Sequence, residues 1–534
     1  MNDGTFVWNP PARYNFTRDT IDRLALERPH DRALFWVDSN GAIIDRSFSE
    51  LAEHAARAAG ALAQAGVRRG DTVLILLSRE IEWWELMLGC LKLGAVASPG
   101  TIQLTSKDIA YRVEASAARC IVAGTGVAEH VDRAQNGADV ALVHVGGPRD
   151  GWLDYRTLKA QACPVGAADT AFDEDALCYF TSGTTGQPKM TVHGHGYALA
   201  HEITGRYWLD LRPGDLHWNL SDTGWAKAAW SSLFAPWLMG AAIFVYHAPG
   251  FDPAATLDLL ERYPISTLCA PPTAYRMMVR ADLAGRSFGA LRHCVSAGEP
   301  LNPEVIDLWK SATGLDIHDG YGQTETVLLC GNRSGAARQG SMGRPAPGST
   351  LAVIDEAGRE CGAGEEGDVA LRVAEARPPG LFTGYRGDPD RTASVFRRGW
   401  YLTGDRAFVD ADGYFWFVGR ADDVILSSGY RIGPFEVESA LFEHPAVAES
   451  AVVSSPDPTR GEVVKAFVVL AAGFTPSPQL ERELQDHVKA TTAPYKYPRK
   501  IEFVASLPKT VSGKIKRKEL REKEWTRPPD NGDA

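Results

Sequence analysis

At 534 residues the chain is too long for one small core, and about 100–200 residues per domain gives it several subdomains with sizeable interiors. Its 44% hydrophobic, 23% charged and 9% aromatic residues are the composition of a soluble globular protein, which excludes disordered and fibrous classes. A net charge of −11 argues against a nucleic-acid partner and leaves only local basic clusters to hold phosphates.

The N-terminal segment has no basic region followed by an apolar core, so no signal peptide is expected. From about Thr20 to Thr350, helical patterns alternate with short apolar or β-branched runs. Helices are predicted over Leu51–Ala65 and Trp83–Leu93, and strands over Thr72–Leu77, Ile121–Gly124 and Ala176–Phe180. The uncharged run Ala228–Tyr246 has about the length of a bilayer span. Pro236 and Gly240 interrupt it, so a helix over Ala228–Phe234, a turn around Pro236–Gly240 and a buried strand Ala241–Tyr246 are expected instead. The helix Leu257–Tyr263 then leads into the strand Ile265–Ala270. This alternation indicates βαβ units and parallel-rich sheets.

Between Ser349 and Phe417 the texture becomes antiparallel, with strands Leu351–Ile354, Gly367–Arg372 and Tyr414–Val418 among Gly/Asp turns such as Asp412-Gly413. After Gly419-Arg420 it changes again. Helices Pro434–Phe442 and Gln479–Thr491, with strands near Val447–Ser454 and Val463–Leu470, suffice for a small α+β domain. The expected class is therefore α/β. Residues 1–420 form a large multi-subdomain unit, 421–534 a small one, and the tail Arg527–Ala534 is expected to be disordered. The eight cysteines form no C-x-x-C pair, which speaks against zinc-ribbon or dithiol chemistry and for reduced thiols in a cytoplasmic protein.

The sharpest local feature follows the strand Ala176–Phe180: Thr181, Ser182, Gly183, Thr184, Thr185, Gly186, Gln187, Pro188 and Lys189 in succession. Glycines let backbone N–H groups approach phosphate, hydroxyls donate to it, and an ammonium offsets its charge. It is not a Walker A loop, because the spacing fails and Met190 follows the lysine. Taken alone, such a stretch is more often a flexible connector.

Further strings follow in order: Ala297-Gly298-Glu299-Pro300, Asp319-Gly320-Tyr321-Gly322-Gln323-Thr324-Glu325, Tyr401–Asp405, Gly419–Asp423, Ser428–Gly433 and Pro508–Lys514. Together with the loop they resemble the signature of the adenylate-forming superfamily, which holds acyl-CoA synthetases, peptide-synthetase adenylation domains and firefly-type luciferases. Ser221-Asp-Thr-Gly-Trp225 with Pro236-Trp237, and Ala493–Pro498, look like medium-chain acyl-CoA synthetases.

The resemblance implies ATP, Mg²⁺ and CoA as reactants, with a small carboxylic acid. It implies a large adenylating domain and a mobile lid. Thr181–Lys189 would cradle the β- and γ-phosphates, Thr324 would donate to the α-phosphate, and Glu325 would hold Mg²⁺. Adenine would lie between Gly298-Glu299-Pro300 and Asp319–Tyr321, with Tyr321 stacking on it. Asp405 suits the ribose hydroxyls because an ionised carboxylate only accepts, and Arg420 would lie near ribose or phosphate. Lys514 would bridge the acid and the α-phosphate, and Asp422 would be the hinge. Ser428, Gly429, Tyr430, Arg431, Arg460, Tyr495, Lys496 and Tyr497, with Gln103, are candidates for CoA. The basic run Lys516–Lys518 reads as a solvated face.

In acetate-activating relatives a tryptophan stands at the position of Gly322, so glycine here is expected to open the floor for a longer chain or a ring. Trp225 and Trp218 are wall or core. Acetylation of Lys514 by a lysine acetyltransferase would remove the bridging charge. An aryl-CoA ligase is the nearest rival, ahead of a carrier-loading enzyme. A luciferase-like oxygenase or a non-catalytic nucleotide-binding protein is the rival from another class.

Overall fold

The computed structural model describes residues 6–134, 139–181, 187–283, 285–374, 377–427, 430–457, 460–510 and 514–526. Ser182, Gly183, Thr184, Thr185 and Gly186 of the phosphate loop, Ser428 and Gly429, and the tail from Arg527 lie outside the described residues.

Four sheets carry the chain. In the first, of eight strands, Val96–Pro99, Thr72–Leu76, Cys120–Gly124, Ala141–Val145 and Leu153–Asp154 run parallel. Asp175–Thr181 joins Val96–Pro99 in parallel, and Lys189–Gly194 pairs back on it antiparallel with Thr181 opposite Lys189. Thr181 and Lys189 therefore close the end of a β-hairpin. The second sheet, of nine strands, has a parallel centre in which His293–Ala297 lies beside Ile317–Gly322. Its core strands are buried along their length, as sheets covered by helices on both faces require.

The third sheet is antiparallel and built on Trp400–Val409, with Gly367–Arg372 and Phe415–Arg420 on its two sides. The fourth begins at Ile425 and centres on Gly461–Leu470 and Val447–Asp457, with the helices Pro434–Phe442 and Pro478–Thr491 packed beside it.

Local chemistry sets the boundaries. The helix Phe48–Gln64 starts at a capping box in which Ser47 and Glu50 exchange side-chain and backbone bonds. The helix Glu82–Leu93 ends at Gly94, which takes φ +76. One expectation is shifted: the turn forms at Met239-Gly240, where Gly240 takes φ +67, and not from Pro236. The helix continues through Ala226–Ala229 and a π-helical turn Trp230–Phe234 broken at Ser232 (φ −131), and Pro236 sits in the opening turn of Ala235–Leu238, where its missing N–H costs nothing. No helix among the described residues is long and apolar enough to cross a membrane.

Candidate active site

Parallel strands of an open sheet offer ligands the crevice at their carboxyl ends. Here His293–Ala297 runs into Gly298, whose φ of +104 suits a residue without a side chain, and then into Glu299 and Pro300. Ile317–Gly322 runs into Gln323, Thr324 and Glu325. These segments face Thr181, Lys189, Asp405, Arg420 and Asp422, and on the far side Lys514, across a cleft of about 1130 Å³.

The alternation of Ile317–Gly322 explains its glycines. Residues 320 and 322 point to one face, where a Cβ on Gly320 would stand 2.5 Å from Trp208 and one on Gly322 would meet the indole of Trp230 and stand 2.5 Å from the Val327 carbonyl oxygen. Tyr321 and Gln323 point the other way. The Tyr321 hydroxyl donates to Asp405 Oδ2 at 2.5 Å and Gln323 Nε2 donates to the same oxygen at 2.7 Å. Tyr401 holds the other end of that amide through Gln323 Oε1 at 3.0 Å.

Asp405 is nearly fully buried, and burial raises its pKa, with Arg420 Nη1 at 3.1 Å from Oδ1 opposing the rise. Tyr321 can thus stack on a base only with its ring face, its hydroxyl being committed. Asp319 is pushed up to about 8 by burial, against the pull of the Gly320 N–H and Lys227.

Glu325 accepts from the Tyr385 hydroxyl at 2.8 Å, and Lys189 Nζ lies 3.5 Å from the same oxygen. Lys189 also sits over the Tyr385 ring, 4.7 Å from its centroid. Desolvation lowers the Lys189 pKa and Glu325 opposes it. The hydroxyl of Thr181, at the mouth of the loop, is buried with no partner among the described residues, an oxygen free for a ligand.

Across the cleft Lys514 is exposed and tied back to Thr510. Its N–H donates to Thr510 Oγ1 at 3.1 Å, its carbonyl accepts from the Thr510 N–H at 2.7 Å, and Lys509 bridges Ile515. Its charge is felt by both Asp405 and Lys227. Arg517, three residues on, makes a two-pronged pair with the buried Glu438 at 3.0 and 2.6 Å. Asp422 lies between the third and fourth sheets; its carbonyl accepts from Arg521, which also reaches Asp423 at 2.9 Å.

Not every candidate converges here. Gln103, Tyr430, Arg431, Arg460, Tyr495, Lys496 and Tyr497 lie off the cleft. Tyr430 stacks on Tyr495 at 4.2 Å on an exposed face, and Lys496 pairs with Glu436. Gln187, Pro188 and Trp225 are also absent from the cleft lining. Trp218 is core, packed edge-on against Phe244 at 4.9 Å.

The expected open floor at Gly322 is corrected as well. Trp230 already fills the space a side chain there would take, its Nε1 donating to the Tyr197 hydroxyl at 2.6 Å. Two residues went unread in the sequence. Tyr385 enters through the strand Gly384–Tyr385, paired beside Lys189's own strand. Lys227 follows Trp225 by two positions and donates to the Ala297 carbonyl at 2.6 Å. The Gly285-Arg-Ser-Phe-Gly289 string spells a hydrolase elbow, but Ser287 lies exposed on a loop, not on a strand-to-helix turn.

The AMP-binding enzyme model matches residues 21–386, and the AMP-binding enzyme C-terminal domain matches 436–514. The chain belongs to the AMP-binding enzyme family. The mitochondrial acyl-coenzyme A synthetase ACSM3 of Mus musculus is 50% identical over 529 residues, covering 96% of this chain and 91% of the relative. The acyl-CoA synthetase of Brucella canis is 38% identical with a TM-score of 0.75, covering 97% of this chain and 95% of that one. The anthranilate CoA ligase AuaEII, solved with anthranoyl-AMP, is 32% identical with a TM-score of 0.88, covering 96% and 98%.

Like these family members, the chain is an AMP-forming acid–CoA ligase, with ATP and CoA as co-substrates. The cytoplasmic expectation is overturned, because relatives of this identity are mitochondrial proteins. Free cysteines fit any reducing compartment, so they could not have chosen between the two.

Proposed function

We propose that this acid–CoA ligase acts on medium-chain or branched fatty acids, with the two halves of its cleft dividing the chemistry. The observation that carries the division of the chemistry is the convergence of Lys189, Glu325, Asp405 and Lys514, far apart in sequence, on one cavity. In the first half-reaction a carboxylate oxygen bonds to the α-phosphorus of ATP and the bond to the pyrophosphate oxygen breaks. In the second, the CoA sulfur bonds to the acyl carbon, AMP leaves, and the thiol proton passes to solvent.

Both first reactants are anions, so positioning and charge neutralisation supply most of the rate. Lys189 and the loop before it face the β- and γ-phosphates, and Thr324 the α-phosphate. Asp405, held by three donors, keeps acceptor capacity for a ribose hydroxyl. Lys514 brings its cation between the two anions.

Magnesium fits the residues present. No group of three or more His, Cys, Asp or Glu side chains gathers among the described residues, and Glu325 offers one carboxylate at the cleft wall, which suits an ion that keeps its waters and takes phosphate oxygens. When bound, that ion offsets phosphate charge. Residues 1–420 and 421–534 move as units about Asp422 between the half-reactions, bringing Gly429, Tyr430, Arg431, Arg460 and Lys496 toward the thiol. Exposed in the cleft, Lys514 is open to a lysine acetyltransferase.

A second reading, an aryl acid, is favoured by the anthranilate CoA ligase among the structural relatives. Acid-dependent pyrophosphate release over straight and branched acids from acetate to dodecanoate, with benzoate and anthranilate, separates them. A maximum on an aromatic acid overturns the aliphatic proposal.

A further inference from the structure

The strand Lys189–Gly194 reaches the Thr324–Glu325 peptide twice. Lys189 and His193 lie four residues apart and so share a face of the strand. Lys189 meets the Glu325 carboxylate, while His193 Nε2 lies 2.7 Å from the Thr324 carbonyl oxygen. A carbonyl only accepts, so Nε2 carries the hydrogen and donates. The imidazole is fully buried, and its Nδ1 has no partner among the described residues. Its ring lies 3.8 Å from that of Tyr197, whose hydroxyl takes the Trp230 Nε1 hydrogen, and Trp230 fills the space against Gly322. The segment Gly322–Glu325 is thus gripped at its start by an indole and at its end by an imidazole tied to the same tyrosine.

We infer that His193 is a positioning residue for adenylation: its one donated bond fixes the Thr324–Glu325 peptide, and through it the angle at which the Thr324 hydroxyl and Glu325 carboxylate meet the phosphates. The inference rests on the proposed roles of Thr324 and Glu325. A carbonyl deprived of that donor would turn toward another partner, and sub-ångström misplacement of catalytic groups costs rate steeply. Asn or Gln can return an N–H to that carbonyl; Leu cannot.

The test measures His193→Leu, His193→Asn and His193→Gln in two assays, acid-dependent ATP–pyrophosphate exchange and thioester formation from supplied acyl-AMP, with melting temperatures alongside. His193→Leu is expected to lower the exchange kcat by about 10- to 100-fold while the thioester step stays within about twofold. One of the two amides is expected to recover at least half of the logarithmic loss. Unchanged exchange in His193→Leu, equal loss in all three variants, or parallel loss of both half-reactions overturns the inference. Glu325→Gln is run beside them. If it also leaves exchange intact, the reading of Glu325 has failed; if it abolishes exchange while His193→Leu does not, only the role of His193 has.

Discussion

The two walls of the cleft are built on opposite terms. On the large-domain wall, Asp405 is held by Tyr321, Gln323 and Arg420, and Glu325 by Tyr385. Behind them Trp208 and Trp230 leave no room for a side chain at residues 320 and 322. On the small-domain wall Lys514 is exposed, and its aim depends on neighbours: Thr510, which its N–H reaches, and the Arg517–Glu438 pair after it. Preorganised donors and acceptors serve a nucleotide that must be gripped in one pose, whereas a cation needed in one half-reaction gains from a mobile mount. Substitutions on the first wall should therefore cost stability together with activity, and replacement of the exposed Lys514 activity alone.

Lys514→Ala is the largest expected effect. Adenylation should fall by about 10³-fold or more, while thioester formation from acyl-AMP and the melting temperature stay near wild type. Equal loss of both half-reactions would break the division between the walls. Gly322→Ala tests the opposite side. Its Cβ would meet Trp230 and the Val327 carbonyl, and such overpacking costs about 1–3 kcal/mol, to be read by chemical denaturation. Gly322→Trp should be inactive toward every acid in the panel. A stable variant with a preference shifted toward acetate would show that the indole of Trp230 can yield the space.

Arg517→Ala is subtler. It leaves the Glu438 carboxylate, whose side chain is only 9% exposed, without its cation and loosens the mount of Lys514. Adenylation kcat should drop by about tenfold, with the acid KM and the thioester step little changed, and Arg517→Lys should recover part of it. Loss confined to stability would make the pair a scaffold and nothing more.

The sequence announced groups whose chemistry is local, and hid those whose role depends on what the fold lays against them. Lys189, Glu325, Asp405 and Lys514 stand in strings of glycines, hydroxyls and charges that are informative by themselves, and all four reach the cleft. The parallel sheets followed from the alternation of helical and strand patterns, and the antiparallel third sheet from short strands set between Gly/Asp turns. Gly322 was misread because a glycine reports a missing Cβ and not what takes its place; Trp230, 92 positions earlier, does. Tyr385, Lys227 and His193 gave no local signal, since each acts on a backbone carbonyl or carboxylate 60, 70 and 131 positions away in the chain. The described CoA candidates, Gln103 in the large domain and Tyr430, Arg431, Arg460, Tyr495, Lys496 and Tyr497 in the small one, do not line the cleft, and no string of residues announces that placement.

Asp319 offers the finest test of the buried wall. Its carboxyl lines the cleft beneath the Gly320 N–H, and burial lifts its pKa to about 8, whereas in an unfolded chain it titrates near about 4. Between those values the folded state keeps a proton that the unfolded state has released. The stabilisation is whole below about pH 4 and is lost as pH rises through about 8. Asp319→Asn keeps the shape and removes the titration, so its melting temperature should gain on that of the wild type as pH is raised from about 5 to about 9. Each kcal/mol of lost linkage would widen the gap by about 2–4 °C. Both proteins are measured without ATP, since a bound nucleotide would change the burial being tested. Parallel curves would mean that the carboxylate is already ionised at neutral pH and compensated by Lys227, whose ammonium would then belong to this wall as a working counter-charge and not as a lysine tied to the Ala297 carbonyl.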